Sequence, residues 1–349
     1  MAMTKKFAQI QALDDGFQQQ VRNELDQKTK PAGSLGRLED LAAQMACIQQ
    51  RIKPYIESAQ VFVIAGDHGI AHEGVSAYPQ AVTAQMVLNF LSGGAAICVL
   101  AKANDAKVTV VDAGVAEIIQ THKNLLDRKI AFGTKNFLHE LAMSTEQVET
   151  ALQHGKALCE NLPKHGAVVF GEMGIANTTS ASALMYGLTG LTVEACVGRG
   201  TGVDDHGVAL KRGVITQAFK KYVASSDVRE LLSRYGGFEI AMICGAMLGA
   251  AQSRQVIIVD GFIASVAACL AIRMQQEVQN YMVFSHVSAE APHRALLESI
   301  GAMALLDWDM RLGEGSGAIL VLPLLRSACA MLSNMATFAS AGVSGKTSE

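Results

Sequence analysis

Two kinds of apolar pattern alternate along the chain. Short unbroken runs rich in branched residues occupy 60–65, 107–111, 167–170, 255–259 and 281–284. Each ends at once in polar or glycine residues: Gly66-Asp67-His68, Asp112-Ala113-Gly114, Gly171-Glu172, Asp260-Gly261 and Ser285-His286. That is the pattern of parallel strands covered on both faces. Between them, apolar residues recur every three or four positions, the spacing of helices. Phe7, Ile10, Leu13, Phe17, Val21 and Leu25 predict an amphipathic helix over 5–27. Others are expected at about 35–50 with Ser34 as cap, at 82–91, at 92–101, and at 144–162 with Ser144 as cap. The stretch 236–252 is apolar nearly all round and predicts a central buried helix, inside which Glu239 needs a partner. Residues 116–143 are less patterned and read as an excursion.

Strand alternating with helix predicts an α/β fold, a Rossmann-like parallel sheet with helices on both faces, over 56–302. The segments 1–55 and 303–349 then have only each other and one sheet edge to pack on. They predict a small helical domain built from both chain ends.

Composition narrows the function. The 349 residues suffice for one large core and a smaller second one, and with 17% charged residues and half the chain apolar, little of it can be disordered. A net charge of -3 gives no reason to expect nucleic acid or an anionic membrane as partner. The cysteines at 47, 98, 159, 196, 244, 269 and 329 never form a Cys-x-x-Cys pair, so neither a zinc ribbon nor a disulfide framework is indicated. The start of the chain has no apolar signal core, and apolar stretches such as 262–272 fall short of the roughly 20 residues that span a bilayer. Small-molecule chemistry in the cytoplasm is the expectation.

In open parallel sheets ligands bind outside the carboxyl ends of the strands, so the polar residues there are the candidates. After the third run, Glu172 and Gly174 lead into Asn177, Thr178, Thr179 and Ser180 at the opening of a helix. Helix-terminal amides with several hydroxyls suit a phosphomonoester; plain capping would need one hydroxyl. A second glycine-rich loop, Gly198 to Gly202, precedes a helix with Lys211 and Arg212, and reads as a supplier of amides and cations or as a surface connection. The apolar loop with Tyr78 and Pro79, followed by Gln85, reads as a holder for a flat aromatic ring or equally as an ordinary strand-to-helix loop. Asp67, His68, His72 and Glu73 invite a metal reading, but no further ligands follow at a readable spacing. A metal-dependent phosphohydrolase using Asp67, His68, His72 and Asp112 is a rival reading. Finally, Glu314 stands between Gly313 and Gly315 ahead of the apolar run 319–325. It reads as a base presented on a turn, as a cap for the following helix, or as a partner for Arg311.

Taken together, KPAGSLGRLE (30–39), AGDHGIAHEGVSAYPQAVT (65–83), GEMGIANTTSA (171–181), GRGTG (198–202), GGFEIA (236–241), VDGF (259–262), SHVSAE (285–290) and RLGEGSGA (311–318) resemble the nicotinate-nucleotide:5,6-dimethylbenzimidazole phosphoribosyltransferase family over almost the full length. The resemblance implies transfer of phosphoribose from nicotinate mononucleotide to 5,6-dimethylbenzimidazole, in a homodimer without metal or other cofactor. It implies Glu314 as catalytic base and Glu172 as a second acidic residue. It places Tyr78, Pro79, Gln85 and Leu312 at the benzimidazole, and Gly174, Asn177, Thr178, Thr179, Gly200, Gly202 and Lys211 at the nucleotide and its phosphate. Whether Lys211 or His206 supplies the cation of the second loop stays open. The alternative is a non-catalytic protein that binds a nucleotide or cobalamin precursor on the same scaffold.

Overall fold

In a computed structural model, which describes residues 7–200, 202–222 and 225–344, the five expected strands are joined in one sheet by a sixth, and His286–Val287 pairs with Leu306–Asp307 in a separate two-stranded sheet. The six are β1 (Ala59–Gly66), β2 (Ala106–Gly114), β3 (Leu125–Asp127), β4 (Ala167–Met173), β5 (Val256–Val259) and β6 (Met282–Phe284). All pair in parallel, in the order β3-β2-β1-β4-β5-β6. Successive residues of β4, β5 and β6 are buried almost without exception. Because neighbours in a strand point to opposite faces, both faces of this sheet are covered. The order reverses between β1 and β4, which opens a crevice at the carboxyl ends of the central strands.

The buried helix is Phe238–Gln252, and it packs across β1, β2, β4 and β5 and along the helix Thr145–Leu158. Glu239 finds its partner in His68: the two are fully buried, with His68 Nε2 2.7 Å from Glu239 Oε1 and His68 Nδ1 2.9 Å from Ser180 Oγ. The loop after β1 is thereby tied to both the central helix and the helix Asn177–Thr189.

Several boundaries differ from the periodicity. The first helix is Asp15–Asp26, capped by Asp14, whose side chain accepts from the Phe17 amide at 3.0 Å. Residues 7–13 run as irregular chain instead of helix, docked where the Ile10 amide donates to Gln275 Oε1 at 2.8 Å; residues 5 and 6 lie outside the described residues. Helix Arg37–Gln49 starts after Gly36 without a side-chain cap, so Ser34 does not serve. Glu39 instead reaches back and accepts from the Leu35 amide at 2.9 Å. Gly93, in a left-handed conformation, separates Val82–Ser92 from Ala96–Ala103, which shortens the expected 92–101 helix. Ser144 caps Thr145–Leu158 as expected, in a reciprocal pair with Gln147.

The helices Asp15–Asp26, Arg37–Gln49 and Leu322–Asn334 pack together. The Phe338 amide donates to the Gln27 carbonyl at 2.9 Å and the Thr29 amide to the Ala336 carbonyl at 3.0 Å, so the two ends of the described chain meet. The tracts Val82–Ala103 and Ser316–Asn334 do reach the length and apolarity of a membrane span, contrary to the expectation that apolar stretches fall short of it. The first is broken at Gly93 and the second, after the short helix Ser316–Leu320, at Val321.

Candidate active site

A cleft of about 660 Å³ lies at the carboxyl ends of β4, β5 and β6. Glu172 belongs to the end of β4, Asp260 follows β5 and His286 follows β6; Tyr78, Val82 and Met86 come from the connection after β1, and Arg311 to Glu314 close one side. Glu314 stands on three consecutive left-handed residues, with φ of 85° at Gly313, 64° at Glu314 and 87° at Gly315. For a non-glycine residue that conformation costs about 1–2 kcal/mol, so the glycines on either side carry what Glu314 alone could not. The turn is held from two strands. Its backbone lies flat on Gly171 of β4, where a Cβ would overlap the Glu314 carbonyl. From the tip of β5, Asp260 Oδ2 accepts from the Gly315 amide at 3.0 Å and Asp260 Oδ1 from the Ala318 amide at 2.9 Å.

Glu314 is 6% exposed, and its Oε2 has no protein partner. Burial raises its pKa; the Ile97 amide, in the first turn of Ala96–Ala103, works against that rise and the Asp260 charge adds to it. Glu172 is pushed further, to about 8, by burial first and by the Asp260 and Glu239 charges, against a hydrogen bond donated by the Asn177 side-chain amide. Of the four carboxyl groups lining the cleft, Glu172, Asp260, Glu290 and Glu314, Glu172 is largely neutral at pH 7.

At the other side, the Lys211 ammonium donates to Thr178 Oγ1 at 3.0 Å. Gly200 sits against both: a Cβ there would lie 2.7 Å from Thr178 Oγ1 and 2.8 Å from Lys211 Nζ. The Gly200 amide donates to Glu290 Oε2 at 3.0 Å. Lys211 is 2% exposed, and burial lowers its pKa to about 8, opposed by the Glu290 charge. His206 is exposed on the outer side of the same helix, Asp205–Phe219, so the buried cation beside the cleft is Lys211.

Of the sequence candidates, Tyr78, Leu312, Glu172, Gly174, Asn177, Thr178, Gly200 and Glu314 line the cleft, and Lys211 stands directly behind Thr178. Pro79, Gln85, Thr179 and Gly202 are outside the lining: Pro79, Gln85 and Gly202 are exposed, and Thr179 is fully buried with its hydroxyl unpartnered. Thr201 lies outside the described residues. The four residues of the hydrolase reading do not converge. His68 is enclosed between Ser180 and Glu239, His72 is exposed, Asp67 Oδ2 accepts from the Ala116 amide at 2.8 Å, and Asp112 pairs with Lys129 at 2.9 Å. Among the described residues no group of three or more His, Cys, Asp or Glu side chains is arranged to hold a metal ion. Asp260, His286 and Glu290 received no role from the sequence, although the first two stand within two residues of the end of an apolar run, the signal that singled out Glu172.

A family model described as a phosphoribosyltransferase matches residues 10–343. The nicotinate-nucleotide–dimethylbenzimidazole phosphoribosyltransferase of Dechloromonas aromatica is 48% identical over 343 residues, 97% of this chain and 99% of that one. Its counterpart in Cupriavidus necator is 49% identical over 341 residues, again 97% and 99%. The crystal structure of the enzyme of that name from Thermus thermophilus superposes with a TM-score of 0.91 at 41% identity, over 96% of this chain and all of that one. Fold, motifs and full-length similarity agree: this chain belongs to the nicotinate-nucleotide–dimethylbenzimidazole phosphoribosyltransferase family.

Proposed function

We propose that this chain transfers the 5-phosphoribosyl group of nicotinate mononucleotide to 5,6-dimethylbenzimidazole, giving alpha-ribazole 5'-phosphate and nicotinate, with inversion at C1' and Glu314 as general base. The observation that carries the reading is Glu314 itself, a buried carboxylate on a left-handed turn whose Oε2 no protein group satisfies. A buried acceptor left without a partner costs free energy that a substrate N–H can recover.

The ribosyl–pyridinium bond breaks to leave a pyridine ring nitrogen without charge, so the departing nicotinate needs no general acid. A benzimidazole nitrogen attacks C1' from the opposite face, which turns the β-nucleotide into the α-product. As that nitrogen gains positive character, the N–H across the ring acidifies and Glu314 takes the proton. General-base help of this kind contributes about 10²- to 10⁴-fold. Holding both substrates in line supplies much of the rest. Glu172, largely neutral at pH 7, orients a substrate by hydrogen bonding and leaves proton abstraction to Glu314, a division seen where two carboxyl groups of one site differ in pKa. Lys211, Thr178 and the Gly200 turn grip the phosphate, and Tyr78, Val82, Met86 and Leu312 flank the flat ring. The same reading includes a cytoplasmic homodimer and a small helical domain formed by the packed chain ends.

The test is Glu314→Gln, with nicotinate release followed while both substrates are present. Turnover should fall about 10²- to 10⁴-fold while nicotinate mononucleotide still binds. Activity within a few-fold of the parent would place the base elsewhere, and no nicotinate from the parent protein would leave a binding protein.

A further inference from the structure

Glu314 is useful as a base only if its carboxylate is held at one place, and a left-handed non-glycine residue between two glycines is a poor holder by itself. Such a conformation persists when its surroundings over-determine it. Gly171 supplies a floor against which the turn packs. The Glu314 amide itself is a hydrogen-bond partner of the Glu172 carboxyl, and the stretch just after Glu314 is held by Asp260, which is 2% exposed and grips it with both oxygens: the Gly315 amide immediately after Glu314, and the Ala318 amide one turn on. A ring lies beside this carboxylate. His286 Nδ1 is 4.0 Å from Asp260 Oδ1 and 3.0 Å from Ser285 Oγ, and Gly317 packs against the imidazole so closely that a Cβ would overlap it. A lone cap for the five-residue helix Ser316–Leu320 would need one acceptor; two, spent on both sides of the Gly315–Ala318 turn, fix its orientation relative to β5.

We propose that Asp260 is the positioning residue of the Glu314 base, its two-point grip on the Gly315 and Ala318 amides setting where the Glu314 carboxylate points. The inference rests on the reading of Glu314 as base. Asp260 touches no reacting atom in this role; it acts through the turn. It also adds negative charge beside Glu314, whose other titratable or charged neighbours are Glu172 from β4, Cys98 from the helix Ala96–Ala103, and Arg311, His286 and Glu290 around the cleft. Burial is the main cause of the raised Glu314 pKa and Asp260 a further one, so removing the Asp260 charge moves the pH at which the base loses its proton downward.

Asp260→Asn keeps the shape, replaces one acceptor by a donor and removes the charge. It should lower kcat about 10- to 100-fold, the range for a base displaced by up to an ångström, and leave KM for nicotinate mononucleotide within about threefold. The acidic limb of its kcat–pH profile should move to lower pH. In a Glu314→Gln background the same change should add less than about threefold, since the group it positions is gone. If Asp260→Asn does not fold, Asp260→Glu keeps the charge while shifting the grip, and predicts the kcat loss with the acidic limb in place. Parent-like kcat per folded active site in the variant that folds, or full additivity with Glu314→Gln, overturns the inference. If Glu314→Gln alone is near the parent, the reading of the base fails and this inference falls with it.

Discussion

The two sides of the cleft are built differently. The Glu314 side is a matter of backbone: three left-handed residues laid on a glycine of β4 and gripped by a carboxylate from β5. The Lys211 side is a matter of side chains, an ammonium and a hydroxyl projecting from two helices in ordinary conformations and meeting at Gly200. Backbone packed on backbone has no rotamer to yield, whereas a side chain can be shortened and its neighbours relax. The first side should therefore fail abruptly and the second by degrees.

Beyond Glu314→Gln, the largest effect should come from Gly171→Ala. The added methyl meets the Glu314 carbonyl with no flexible group in between, so kcat should drop about 100-fold or more for a shift near an ångström. Steady-state kinetics together with a melting curve would check this; unaltered kcat would mean that the floor of the turn is soft. Next is Lys211→Met. Loss of a charge-assisted bond to phosphate is worth about 1.5–3 kcal/mol, so KM for nicotinate mononucleotide should rise about 10-fold or more, with KM for the benzimidazole little changed. Since burial lowers the Lys211 pKa to about 8, the parent's KM for the nucleotide should rise as pH passes above 8 and the ammonium loses its charge. The Met variant should lack that rise. Thr178→Val should raise the same KM about 3- to 10-fold, as one neutral hydrogen bond is lost, and equal loss for both substrates would instead indicate a folding defect. The smallest effect belongs to Gln85→Ala, whose side chain is exposed and outside the cleft; KM for the benzimidazole should stay within about twofold.

Much of this arrangement is legible in the sequence because parallel strands announce themselves. An unbroken run such as Val256–Val259 has to be buried on both faces, and the polar residue directly after it is delivered to the edge where ligands bind. That logic reaches Glu172, Asn177 and Thr178, and the glycines around Glu314 mark the turn. What it misses depends on neighbours far off in sequence. The grip of Asp260 on Gly315 requires knowing that β5 lies beside β4. Lys211 and His206 are five residues apart on one helix, so their side chains point in different directions, and the sequence alone does not say which one faces the cleft. Gln85 is likewise adjacent to Met86 in the chain and about 100° away from it around the helix, so only Met86 reaches the cleft. Two further misses, one of an element and one of a boundary, are local. The three residues of β3 are too few to show a pattern, and Asp14 stops a helix that hydrophobic spacing would carry back to residue 5.

Asn177 belongs to both sides: it is the first residue of the helix whose next residue, Thr178, meets Lys211, and its amide holds Glu172. On the proposed reading, a phosphate that settles that helix should also settle Glu172, and occupancy by one substrate should then strengthen the hold on the other. Thermodynamic linkage makes such cooperativity mutual, the same factor in either order of addition. Titrating the benzimidazole with and without the nucleotide measures that factor, and in Asn177→Ala it should collapse toward one.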